Sequence, residues 1–218
     1  MALLLVWTWV KENIMPLGAF KAALMGTAGV SAGASVVLLH DTDYSNAATA
    51  SITSGIDSTY GEYIFKFYNI NPATDRTRLC FQVNATDDPS GGYDTSLITS
   101  TAFCSRIYED ESFGASISYR ASDDLAQSAS FQRLSGEANN DADSIMAGEL
   151  HLFNPASTTY VKHFYATVNT NCDGGDDDPF FNNHYVAGYI NDTTAIDDIQ
   201  FKMESGNFDG TIKMWGVK

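Results

Sequence analysis

Beyond residue 36 the apolar positions recur at every second residue. Tyr63, Phe65 and Phe67 alternate with Ile64, Lys66 and Tyr68, and Leu79, Phe81 and Val83 alternate with Arg78, Cys80, Gln82 and Asn84. Leu150 and Leu152 stand against Glu149 and His151 in the same way. So do Ile199, Phe201 and Met203 against Asp198, Gln200, Lys202 and Glu204, and Ile212 and Met214 against Thr211, Lys213 and Trp215. Successive side chains of a strand point to opposite faces, so each run predicts a strand with one buried and one wetted face. Ile117 with Tyr119, and the stretch Tyr160–Val168, fit strands too. Between the runs stand Asn71-Pro72, Asp88-Pro89-Ser90-Gly91-Gly92, Asn154-Pro155, Asp173-Gly174-Gly175 and Ser205-Gly206-Asn207. These residues supply positive φ, a fixed φ or local side-chain caps to turns. The only helical feature expected after residue 36 is a short turn over Ser122–Gln127. The pattern predicts an all-β, jelly-roll-like antiparallel β-sandwich of about eight strands over residues 36–218.

The first 35 residues read differently. Ala19–Leu24 suits a helical turn or two, which Gly26, Gly29 and Gly33 then break. Residues 1–35 therefore predict a partly helical or irregular N-terminal arm. Met1–Val10 is nearly all apolar, but a bilayer span needs about 20 such residues, so no membrane span is expected. No basic residue precedes the apolar run, as a signal peptide would require, and Met15 offers a second plausible start. If the extension belongs to the protein, Leu3, Leu4, Leu5, Trp7 and Trp9 need a partner surface, which makes them candidate arm contacts.

Charge narrows the range of partners. Against 12 Lys and Arg stand 27 Asp and Glu, a net charge of −15. Such a surface repels phosphate backbones, so nucleic acid is not expected as a partner. Hydrophobic residues make up 44% of the chain and charged ones 18%, enough to bury a sizeable core.

The side chains suited to chemistry form no catalytic signature. Cys80, Cys104 and Cys172 include no C-x-x-C pair, and spacing alone leaves a Cys80–Cys104 bridge open. His40, His151, His163 and His184 show no H-x-H or H-E-x-x-H spacing. There is no G-x-S-x-G elbow and no phosphate-cradling loop. The neighbouring acids Asp87-Asp88, Asp123-Asp124 and Asp197-Asp198 would point to opposite faces of a strand, so none is by itself an acid–base dyad. A Cys–His nucleophile using Cys104 or Cys172 is conceivable but has no local signature. The expectation is a protein without enzymatic activity.

Two groups of residues suggest binding. Asp173, Asp176, Asp177 and Asp178 bring oxygen ligands together in one loop, as a hard cation such as Ca²⁺ requires, although the EF-hand spacing is absent and a solvated acidic loop is the plainer reading. Tyr93, Phe180, Phe181, Tyr185 and Trp215 sit in loops or at outward positions, and aromatics of this kind serve sugar-binding surfaces and subunit interfaces.

The stretch Leu150-His151-Leu152-Phe153-Asn154-Pro155-Ala156-Ser157-Thr158-Thr159-Tyr160-Val161-Lys162-His163-Phe164 resembles a segment of small structural proteins of marine bacteriophages. The ending Ile199–Lys218 resembles the same group, as do Phe67-Tyr68-Asn69-Ile70-Asn71-Pro72, Asp124-Leu125-Ala126-Gln127 and the start at Met15-Pro16-Leu17-Gly18. Met1–Ile14 has no counterpart in that pattern. The resemblance implies a virion protein, assembled in the host cytoplasm. It would be a jelly roll used in several copies on the tail or fibre, or as a capsid decoration. A homotrimer in contact with other virion proteins is the first expectation; the alternative is a carbohydrate-binding module that recognises a host-surface glycan.

Overall fold

The computed structural model describes residues 35–88, 91–93, 95–111, 114–172 and 179–218. The chain divides into Met1–Ser35 and Val36–Lys218, and only the second unit is described below. Among its described residues there are twelve strands and no helix. The strands are β1 (Val36–Ala47), β2 (Ala50–Ile52), β3 (Glu62–Pro72), β4 (Leu79–Ala85), β5 (Ile98–Tyr108) and β6 (Ser116–Tyr119). They continue with β7 (Gln132–Arg133), β8 (Met146–Phe153), β9 (Lys162–Cys172), β10 (Phe180–Ile190), β11 (Ile196–Met203) and β12 (Phe208–Val217).

The pairing is that of a hairpin folded in half and wrapped. β1 pairs with β12, β2 with β11, β3 with β8 and β4 with β7, all antiparallel. The first and third pairs belong to one sheet and the second and fourth to the other, and cross-pairings β12–β3 and β11–β4 complete them. This is the jelly roll that the alternation predicted. The remaining four strands enter as two hairpins, β5–β6 between β4 and β7, and β9–β10 between β8 and β11. Both join the same edge, so one sheet grows to eight strands in the order β1-β12-β3-β8-β9-β10-β5-β6, while the other keeps four, β2-β11-β4-β7.

The core lies between the sheets. Phe201 of β11 meets Phe65 and Phe67 of β3 at ring-centroid distances of 5.5 and 5.2 Å, and Phe81 of β4 meets Phe164 of β9 at 5.1 Å. All five rings are buried, each stabilising the fold by roughly 2–3 kcal/mol through apolar area removed from water.

Two local expectations change. Residues 122–127 form no helix. Instead, residues 120–131 run along the edge of β5 and cross to the small sheet. Arg120 N–H donates to Ala102 O, Ser100 N–H to Leu125 O, and Gln132 Nε2 to Asp123 O. β4 is buried along both faces rather than one, because this crossing segment covers its outer side. Gln82, expected to be wet, donates to the carbonyls of Ser96 and Ala129 at 3.1 Å. No disulfide joins Cys80, Cys104 and Cys172, and all three are buried.

Candidate functional site

In β9, β10 and the inner half of β5, even-numbered residues are buried and odd-numbered ones point away from the small sheet. The small sheet and the segment before β7 cover only the inner side of these strands, where Phe164 meets Phe81 of β4 and Ser100 bonds Gln132 of β7, so their outward side chains form a broad face of their own. In the register, Phe103 of β5 lies between Tyr185 of β10 and Tyr119 of β6. Phe103 and Tyr185 stack with centroids 4.9 Å apart. One row along, Tyr165 stacks on His151 of β8 at 4.4 Å. Ile107, Phe181 and Ile117 extend the apolar surface toward the far end, and all three are exposed.

The polar residues of the face are Thr, Ser, Asn and His. Thr167 Oγ1 donates to Asn183 Oδ1 at 3.1 Å, and Asn183 Nδ2 donates to Tyr185 Oη at 2.6 Å, which holds the Tyr185 ring in place. No outward position of β9, β10, β5 or β6 carries Asp, Glu, Lys or Arg. Charge returns at β8 and β3, where Glu149 pairs with Lys66 at 3.5 Å and His151 Nδ1 meets Glu62 at 2.5 Å.

A second cluster lies inside, where the crossing segment closes the sandwich. The Asp123 carboxylate is fully buried and pairs with Arg133 at 3.0 Å and Arg120 at 3.3 Å. Arg133 continues to Glu204, which Arg78 meets at 3.0 Å. His184 of β10 stands 3.8 Å from Asp123, and neither of its ring nitrogens has a hydrogen-bond partner. Burial pushes its imidazole down to about 4, against the opposing pull of Asp123. Burial acts to raise the Asp123 carboxyl, but the Arg133 hydrogen bond and the His184 and Arg120 charges outweigh it and hold it below its ordinary value.

Cys104 is the cross-strand neighbour of His184, so Cys, His and Asp adjoin one another here. Cys104 is buried and its Sγ lies 3.4 Å from Ser118 Oγ, while the His184 ring nitrogens make no hydrogen bond to it. Just outside, a cleft of about 430 Å³ is lined by residues that include Cys80, Phe131, Arg133, Lys202 and Glu204. Its Arg133 and Glu204 are already paired with each other, and burial pushes the Cys80 thiol up to about 12, which leaves it protonated.

The aromatic residues read from the sequence do not form one site. Phe181 and Tyr185 lie on the uncharged face. Phe180 is corrected: it faces inward, buried beneath the Arg106 guanidinium at 4.1 Å, because its strand parity is that of the core. Tyr93 is half-buried beside Ser51 and Asp198 at the small sheet. Trp215 is half-buried on β12, with three strands between it and β10, and Lys66 stands 5.9 Å from its ring centroid. Asp173, Asp176, Asp177 and Asp178 lie outside the described residues, as do Leu3, Leu4, Leu5, Trp7 and Trp9.

Phe103, Tyr119 and Tyr165 carry much of the face without having been singled out. Their alternation is visible in the sequence, but it is the same for an inward and an outward row. Among the described residues no group of three or more His, Cys, Asp or Glu is placed to hold a metal ion, and no helix is long and apolar enough to cross a membrane. The chain matches no protein-family model and no curated protein sequence.

Proposed function

We propose that the chain is a non-enzymatic structural protein of a bacteriophage virion, a jelly-roll module of the tail or fibre, or a capsid decoration, in contact with other virion proteins. The observation that carries this reading is the uncharged aromatic face on an otherwise acidic jelly roll. Contiguous exposed apolar surface of that kind marks macromolecular contact. Depletion of charge with enrichment of Tyr and Phe is the composition of interface cores. The segments that resemble phage structural proteins form part of the framework: Ile199–Lys218 runs from β11 of the small sheet into β12 of the large one, and residues 150–164 run from β8 into β9. Particles purified on density gradients and probed with an antiserum against the chain test the proposal. A fixed copy number per particle is expected; recovery from the soluble lysate alone sinks it.

A second reading, a carbohydrate-binding module for a host-surface glycan, draws on the Phe103–Tyr185 stack with Asn183 and Thr167 beside it. An aromatic plane with amide and hydroxyl groups at its border suits a sugar ring. Binding on a glycan array that disappears with Tyr185→Ala favours this reading, and its loss with EDTA would bring in Ca²⁺.

A further inference from the structure

We propose that the outer face of β9, β10, β5 and β6 is where one copy of this chain binds another. The contact rests on the reading of the chain as an assembly protein. Its test uses the isolated protein, so absence from particles and absence of self-association are separate failures.

Charge selects a second copy as the occupant. At −15 two copies repel wherever carboxylates face one another, by about 1–4 kcal/mol per close pair at surface dielectric values. A basic partner would be recognised by carboxylates, and the strands of this face carry none; the one met at its β6 edge, Asp124, is half-buried and already accepts from Tyr119 Oη and Ala102 N–H. A like-charged partner is tolerated where they are missing, and four neighbouring strands leave them out.

Size agrees. β5, β9 and β10 are 11 residues each. At ~3.4 Å per residue and ~4.8 Å between strands they cover, with β6, a flat footprint of about 600 Å². Side-chain relief adds to that figure, and a stable interface takes roughly 800 Å² from each partner. The face is also prepared for contact. The Thr167–Asn183–Tyr185 hydrogen bonds and the Phe103–Tyr185 stack already fix the side chains, so docking costs little rotamer entropy. It runs out to β6 at the sheet edge, where Ile117 is 79% and Tyr119 64% exposed. A lone protein would guard such an edge with charge.

Sedimentation equilibrium of the full chain tests the proposal. The expected result is a concentration-dependent mass that is a multiple of 23.7 kDa. Ala187→Glu and Thr101→Glu each place a carboxylate in mid-face at an exposed, outward position. Each is expected to weaken association at least ~tenfold while leaving the circular dichroism spectrum and thermal midpoint unchanged at high dilution. Lys202→Glu, on the small sheet, is expected to associate as the parent does. A chain that stays monomeric at all concentrations overturns the proposal. So does association that survives both face variants but is lost on removing residues 1–34, which would move the contact to the arm. A monomer that binds glycans through Tyr185 overturns it too, making the face a sugar platform.

Discussion

Phe103 and Tyr185 are directly opposed across β5 and β10 and stack with their planes 14° apart, yet both remain on the surface, 45% and 38% exposed. A pair packed this closely on the outside adds little to the stability of the single chain. Phe103→Ala is expected to cost under about 1 kcal/mol, with a coupling to Tyr185→Ala of about 0.5–1 kcal/mol in a double-mutant cycle. Phe201→Ala, which removes the ring between Phe65 and Phe67, is expected to cost about 3–5 kcal/mol. Urea unfolding at a dilution where the midpoint no longer depends on concentration measures both. Equal costs would place Phe103 in the core.

The buried His184 makes stability depend on pH. Its folded value is about 4 against an ordinary 6.5, lowered by burial, with Asp123, Arg120 and Arg78 as the charges facing it. The unfolded chain therefore takes up a proton near pH 6.5 that the folded protein refuses until about pH 4. Stability is complete above pH 6.5 and falls as the pH drops through this window. Asp123, held below its ordinary 3.8, adds a further loss at lower pH. Unfolding free energy about 2 kcal/mol lower at pH 5 than at pH 7 is expected from urea titrations. His184→Gln is expected to flatten that slope.

The β11–β12 turn depends on a residue without a side chain. Gly206 sits at φ +75°, and a Cβ there would stand 2.1 Å from Thr74 Oγ1. Gly206→Ala is expected to destabilise the protein by about 1–3 kcal/mol, combining the left-handed backbone with displacement of Thr74. Adding Thr74→Gly removes the obstruction but not the backbone strain, so it is expected to restore only part of the loss, read as a shift in thermal midpoint.

The thiols are predicted to be silent in the native state. Cys80, Cys104 and Cys172 are buried, and the Cys80 thiol is pushed up to about 12. Ellman's reagent is expected to count no thiol in the native protein and all three after unfolding in guanidinium. Rapid native reaction of one thiol would show a more open structure around it.

Much of the fold is legible in the order of residues. The two-residue period over Tyr63–Phe67, Leu79–Val83 and Ile199–Met203 identifies strands and their apolar rows, because alternation is a property of the local backbone. Turn residues such as Ser205-Gly206-Asn207 mark where the strands end. Periodicity stops short of saying which row is covered, since that depends on partners distant in the chain. β4 looked half-wet and is buried on both sides because residues 129–130 return to it. Phe180 was expected at the surface and lies inside, while Phe103 and Tyr165, spaced like core residues, lie outside. The cause is non-local. Two inserted hairpins join the same edge, the small sheet covers only their inner side, and nothing among the described residues covers the outer one. Asp123 and His184, 61 positions apart, meet for the same reason: the segment that closes the open side of the sandwich carries the acid onto the inner face of β10.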